Sequence, residues 1–552
     1  MDFATPQIAF KPVAGKGSIV IEGSARFSVL TSRLIRMEFS PSGIFEDRPS
    51  QAFWYREQPV PSFSTTHQDG WLIIDTGDLF LRYKQSDLGF TRDTLQIEVR
   101  ATKSKWHYGD KNYQNLKGTG RTLDGWDGPI ELEEGLLSRA GWSVVNDSHS
   151  LIFDQNCWLE TRSLEAEEYN TDLYFFGYGH DYTGCLRDYF KVSGSVPMVP
   201  RYILGNWWSR YWAYTQQELG NLMLEFKERQ VPLSVCIIDM DWHVTKTGNE
   251  SSGWTGYTWN RDLFPDPEKF LQWLHADMGL KTGINLHPAD GVWPHEEMYQ
   301  QMAKKMGMDP STNSPVYFDI ADPKFAQNYF DVLHHPYEKM GVDFWWIDWQ
   351  QGARITHSKH PLARKLDPLW WLNHLHYFDL GRGGKNRSFI FSRWGGLGNH
   401  RYPIGFSGDS VVSWKSLEFQ PTFTSTAANV GFGWWSHDIG GHMFGIEEGE
   451  LYTRWVQFGV FSPVLRLHCT NNPYQDRAPW VFGEDVFKVA RAAMQLRHAL
   501  IPYLYTGAWR FAQGGLPLCT PMYYQNPESP EAYECPNQYM FGEALLAAPF
   551  VS

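Results

Sequence analysis

The sequence predicts an α/β protein: a (β/α)8 barrel preceded by an antiparallel β-sandwich and followed by the start of a C-terminal β domain. Three observations carry this. Residues 1–197 are short alternating apolar and polar segments broken by Gly, Asp and Ser turns, the pattern of a sandwich. Residues 198–514 alternate helix-length stretches with apolar strands, which implies a parallel sheet. No Gly-rich phosphate fingerprint follows the first of those strands, so a closed barrel fits better than an open doubly wound sheet.

In chain order, Ser18-Ile-Val-Ile-Glu, Arg26-Phe-Ser-Val-Leu, Leu34-Ile-Arg-Met-Glu-Phe and Trp71-Leu-Ile-Ile-Asp read as sandwich strands. After Pro197 and Pro200 the period changes. Thr215 with Glu218 three residues on is a capping box that opens an amphipathic helix, and the strand Leu233 to Asp239 follows. The same order recurs as helix 267–278 with strand Leu280 to His287, and helix 323–339 with strand Val342 to Asp348. Strands are then expected at Ser388 to Ser392, Pro403 to Phe406 and Gly431 to Trp435, and the last helices at about 484–512. Residues 515–552 return to β structure. They stop in mid-pattern at Ala547-Ala-Pro-Phe-Val-Ser552, so that β domain is expected to be truncated.

With 552 residues, two or three packed units are expected. The 49 basic and 62 acidic residues give a net charge of -13 without a Lys/Arg run, which argues against a nucleic-acid partner. No 18-residue apolar run predicts a membrane span, and no basic and apolar leader opens the chain. A cytoplasmic location is expected, or a secreted or periplasmic one if an upstream signal has been removed. The six cysteines lack metal-like spacing and read as reduced structural thiols; neither a metal nor a cofactor is expected, and the oligomeric state is left open. Aromatics reach 16%, and their flat faces suit both a large core and stacking against pyranose rings.

Chemistry enters with the strand ends. In a β/α barrel the C-terminal ends of the strands converge on the active site. Asp239, Asp241, Asp348, Asp409 and Asp438 all follow apolar runs, joined by His287 and Arg393. A single strand-end Asp most often caps the next helix. Several together supply what glycosidic cleavage needs: one ionised carboxylate near the anomeric carbon and one carboxyl that keeps a proton for the leaving oxygen.

Several motifs then resemble glycoside hydrolase family 31, the retaining α-glucosidases and α-xylosidases, over about residues 200–550. They are Gly205-Asn-Trp-Trp-Ser-Arg-Tyr-Trp212, Ile238-Asp-Met-Asp241, Trp259 with Phe264-Pro-Asp-Pro267, Trp346-Ile-Asp348, and Arg393 ahead of Ser407-Gly-Asp409. Downstream come His437-Asp-Ile-Gly-Gly441, Arg454-Trp-Val-Gln-Phe-Gly-Val-Phe-Ser-Pro463 and Arg466-Leu-His468. The resemblance implies that Asp348 is the nucleophile and Asp409 the general acid/base of a double displacement on a terminal non-reducing α-linked sugar. Asp239, Asp241, His287, Trp349, Arg393, Trp435, Asp438 and His468 are then expected to bind the sugar or support the pocket.

This chain departs from the family's usual pattern at three places that face the sugar: His287-Pro288 where Asp-Pro is common, Trp349-Gln-Gln-Gly352 after the nucleophile, and Phe406 before Ser407-Gly-Asp409. α-Glucoside, α-xyloside, α-galactoside and α-N-acetylgalactosaminide substrates therefore all stay open. A non-catalytic carbohydrate-binding protein on the same scaffold is the alternative of another class, and transglycosylation or lyase action is a third, within the range the resemblance implies.

Overall fold

The computed structural model of the protein describes residues 3–162, 170–352, 355–384 and 386–552. Two antiparallel sheets open the chain. One contains β1 (Ile19–Glu22), β2 (Ala25–Thr31), β3 (Leu34–Phe39) and two later strands, β9 (Ser143–Asn146) and β12 (Thr171–Phe176), in the order β1-β2-β3-β12-β9. The other is a meander of β4 (Ser64–Gln68), β5 (Trp71–Asp75), β6 (Leu79–Tyr83), β7 (Leu95–Val99) and β8 (Ser104–His107). A short hairpin, β10 (Ile152–Phe153) with β11 (Leu159–Glu160), follows β9.

The period-two pattern explains how the sheets pack. Leu79, Leu81 and Tyr83 of β6 and Leu95, Ile97 and Val99 of β7 point inward and meet Phe27, Val29, Ile35 and Met37 of the facing sheet. Each such side chain contributes roughly 2 kcal/mol by leaving water. β2 and β3 are buried on both faces, because Leu30, Leu34, Tyr174 and Phe176 on the other face join the core shared with the barrel. Charged residues on that face are paired there, with Arg26 2.7 Å from Glu38 and Arg36 2.7 Å from Asp172.

The barrel strands are β13 (Asn206–Trp208), β14 (Val235–Ile238), β15 (Lys281–Leu286), β16 (Phe344–Ile347), β17 (Gly405–Phe406), β18 (Trp435–Ile439) and β19 (Val464–Leu467). Among the described residues they form one curled parallel sheet in the order β16-β15-β14-β13-β19-β18-β17. The two edge strands approach one another through a single stretch: parallel bridges join Trp346 to Phe391 and Ser392 to Gly405. The strand expected over Ser388 to Ser392 is reduced to those bridges.

Thr215 and Glu218 make both hydrogen bonds of the capping box at the start of the helix Gln216–Glu228. The helix expected over 323–339 is two, Pro323–Leu333 and His335–Met340, because Pro336 has no amide hydrogen to continue the ladder. The strand expected at Gly431 to Trp435 is displaced toward the C-terminus. Gly431, at φ 72°, ends a turn, and pairing starts only at Trp435. Asp438 consequently lies within β18, opposite Arg466 of β19, and does not end the strand. Helices Glu484–Ala499 and Ile501–Ala512 precede a three-stranded antiparallel sheet of β20 (Cys519–Pro521), β21 (Tyr539–Phe541) and β22 (Leu545–Ala547). No helix among the described residues is long and apolar enough to cross a membrane.

Candidate active site

Asp348 is the first residue beyond β16, and its amide donates to the Leu286 carbonyl at the end of β15. Its side chain is held from two sides. Nε and Nη2 of Arg393 donate to Oδ1 at 3.1 and 3.0 Å, and Nε2 of His287 lies 3.3 Å from Oδ2. Burial alone would favour the protonated acid. The Arg393 guanidinium, with His287, outweighs it and holds the carboxyl well below the usual carboxylate range. Arg393 lies over the Phe406 ring at 4.3 Å, so Phe406, where the family commonly has Trp, still offers this cation an aromatic face.

Asp409 meets a different environment. Its amide donates to Oδ1 of Asp124 at 2.7 Å, and its carbonyl accepts from the Gly125 amide at 2.9 Å. Oδ1 of Asp124 also accepts from Arg393 Nη1 at 3.0 Å, and Thr122 Oγ1 accepts from the same nitrogen. Gly408 makes this convergence possible: at φ 99°, an added Cβ would sit 2.6 Å from Thr122 Oγ1 and 2.7 Å from Arg393 Nη1. Burial, followed by the acids Asp124, Asp348 and Asp438, raises the Asp409 carboxyl to about 7, against the pull of His442. Its side chain is 23% exposed, whereas that of Asp348 is 8%. The acid that keeps its proton is thus the more exposed of the two.

The remaining predicted groups gather beside this pair. Asp239 ends β14, accepts from the Met240 amide at 2.7 Å and is raised to about 6 by burial. Its Oδ2 is 3.8 Å from Nε2 of His468, whose Nδ1 meets Ser209 Oγ at 2.7 Å. Burial keeps the His468 ring neutral. Asp438 is paired with Arg466, and this pair is wholly buried. Asp241 stands further out, half-buried, in the Met240–Trp242 turn, with Thr245 as its hydrogen-bond partner at 3.5 Å.

Two predicted aromatics lie elsewhere. Trp435 begins β18, at the opposite end of the barrel from the carboxylates, and is buried against Trp394, Phe423 and Phe432. It is a core residue and not a pocket wall. Trp435→Ala is expected to cost about 3–5 kcal/mol in urea unfolding and to leave KM for any substrate of the folded protein unchanged. A raised KM without lost stability would return it to the pocket. Trp349 is 2% exposed, packs on Phe318 at 5.2 Å and donates to the Gly352 carbonyl at 2.6 Å, so it braces the loop after Asp348.

Three contributors were not among the predicted site residues. Thr122 and Asp124 come from the segment that connects β8 to β9, and His442 follows the Gly440-Gly441 turn after β18. Nδ1 of His442 is 3.0 Å from Asp438 Oδ2 and 3.7 Å from Asp409 Oδ1. Asp438, His442 and His468 offer ligand atoms within 4.8 Å of one another, but Arg466 already balances Asp438 and Ser209 already engages His468. A cavity of about 850 Å³ opens on the opposite, N-terminal face of the barrel, lined by His275, Lys281 and Asp343 among others, and includes none of these groups.

Residues 196–507 match the profile of the glycosyl hydrolases family 31 TIM-barrel domain, and residues 515–552 that of the glycosyl hydrolase family 31 C-terminal domain. An α-xylosidase of Saccharolobus solfataricus is 26% identical over 435 residues, 75% of this chain and 57% of its own length. Alpha-glucosidase 2 of Bacillus thermoamyloliquefaciens is 25% identical over 436 residues, 74% of this chain and 54% of its own. The chain spans little more than half the length of these curated relatives. The crystal structure of a GH31 α-xylosidase from a soil metagenome, complexed with xylose, superposes with a TM-score of 0.74 over 97% of this chain and 90% of that one, at 18% identity.

Proposed function

The chain belongs to glycosyl hydrolase family 31, and from that premise we propose that it is an exo-acting retaining α-glycosidase that hydrolyses terminal, non-reducing α-linked sugars. The observation that carries this is the opposed proton affinity of two neighbouring carboxyls: Asp348 is held ionised by Arg393 and His287, while Asp409 is raised to about 7. That is the division of labour a double displacement needs. Asp348 attacks the anomeric carbon as the glycosidic C–O bond breaks, and the Asp409 proton passes to the leaving oxygen. Water then attacks the ester from the other side, gives its proton to Asp409, and releases Asp348 with the α-configuration retained. Asp239, Asp438 and His468 bind or buttress the sugar in this reading, and Arg393 fixes the nucleophile. His287 contacts Asp348 where the family commonly places another acid.

The same reading takes the bridges at 391 and 392 as the eighth barrel strand, with domain limits near 197 and 514. α-Glucosides are the leading substrates. α-Xylosides are the second reading, supported by the similarity to the Saccharolobus α-xylosidase. A panel of aryl α-glycosides of gluco, xylo, galacto and N-acetylgalactosamine configuration separates them. One configuration is expected to be hydrolysed, with the α-anomer as the first product seen by proton NMR. Initial release of the β-anomer, or binding of sugars without hydrolysis of any glycoside, would overturn the proposal.

A further inference from the structure

His442 has a built environment that the catalytic pair alone leaves unexplained. Its backbone is fixed at both ends: its amide donates to the Ser410 carbonyl, next to Asp409, at 2.9 Å, and its carbonyl accepts from the Thr470 amide at 3.0 Å. The ring is 5% exposed and packs 4.9 Å from the His468 ring. The groups facing it are Asp409 from the β17 loop, Asp438 from β18, Asp239 from β14 and His468 from β19, with Arg466 behind Asp438, and Asp124, Arg393 and Asp348 around Asp409. Of the two imidazoles in this group, His468 is kept neutral. His442 is the one set between two carboxylates.

We propose that His442 is a positioning residue that, anchored by Asp438, sets through its own charge the proton affinity of Asp409. Burial works against an imidazolium here, but Asp409 and Asp438 overcome it and raise the ring above its ordinary value. A cation 3.7 Å from Asp409 eases the loss of its proton, and so favours the carboxylate that must take a proton from water in the second half of the reaction. Without it, Asp409 is left among Asp124, Asp348 and Asp438 and holds its proton to higher pH. The inference rests on the reading of Asp409 as the acid/base, but its first test does not depend on turnover.

That test is an NMR titration of the His442 ring in the wild-type protein and in Asp409→Asn. The ring is expected to titrate above the ordinary histidine value in the wild type, and about one pH unit lower in the variant. The same titration in both proteins would overturn the proposal, whether or not the protein hydrolyses any glycoside. In steady-state kinetics, His442→Gln is expected to move the alkaline limb of kcat/KM upward by about one pH unit. A raised KM with the limb unmoved would make His442 a sugar ligand instead. If the wild type hydrolyses nothing on the panel, the proposed function fails, while the titration still decides the coupling.

Discussion

Asp348→Ala is expected to lower kcat/KM on an activated aryl α-glycoside by at least about 10⁴-fold, because no other ionised carboxylate occupies the position from which an ester can form. It is also expected to weaken the fold. Two of the five N–H donors of Arg393 lose their acceptor, and among the described residues Asp124 and Thr122 remain as hydrogen-bond acceptors for that buried guanidinium. Removing one partner of a buried pair costs about 3–5 kcal/mol. The pH dependence has a definite sign. Asp348 is depressed in the folded state, so its contribution is complete above the unfolded carboxylate value, near 4, and is lost as pH falls through the folded value. The wild-type advantage in urea unfolding is therefore expected at pH 7 and should shrink below about pH 4. Wild-type turnover by the variant would remove Asp348 from the role of nucleophile.

Which parts of this site the sequence reveals depends on the range of the interactions. The capping box at Thr215 and Glu218 is local chemistry, and the helix it predicts is present. Asp348 and Asp409 are legible because an apolar run ending in an acid places that acid by topology alone. Trp435 misleads for a related reason: Gly431-Phe-Gly-Trp-Trp435 has the composition of a strand, but Gly431 serves a turn, and the strand starts where the apolar run ends. Asp124 carries no local signal. It bonds the amide of Asp409 across 285 residues of sequence, and nothing in Thr122-Leu-Asp-Gly-Trp126 indicates where the N-terminal sheets will dock. His442 was within reach, as the residue after Gly440-Gly441 in a motif already quoted; the missing information was the turn that aims its ring at Asp409.

Asp409→Asn is expected to abolish acid-assisted cleavage and to stabilise the protein, the reverse of the stability effect at Asp348. Glycosides with poor leaving groups should lose about 10²–10⁴-fold, since the proton they need no longer arrives. Activated aryl glycosides, which leave without that proton, should be spared in the first step and slowed in the second, so that the glycosyl ester on Asp348 accumulates and is detectable by mass spectrometry of the intact protein. The alkaline limb of kcat/KM expected near pH 7 from Asp409 should be absent in the variant. On the stability side, the folded protein keeps Asp409 protonated to about 7, while the unfolded chain releases the proton near 4. The native state is therefore penalised progressively as pH rises between those values, and not below them. The amide removes the penalty, so the variant should be more stable by roughly 1–3 kcal/mol at pH 7–8, with the difference closing by pH 4. A variant less stable than wild type at pH 8 would mean that the pull of His442 outweighs burial among acids at Asp409. Loss of turnover at both acids, with opposite effects on stability, is the outcome expected of a site divided into an ionised nucleophile and a proton-holding acid.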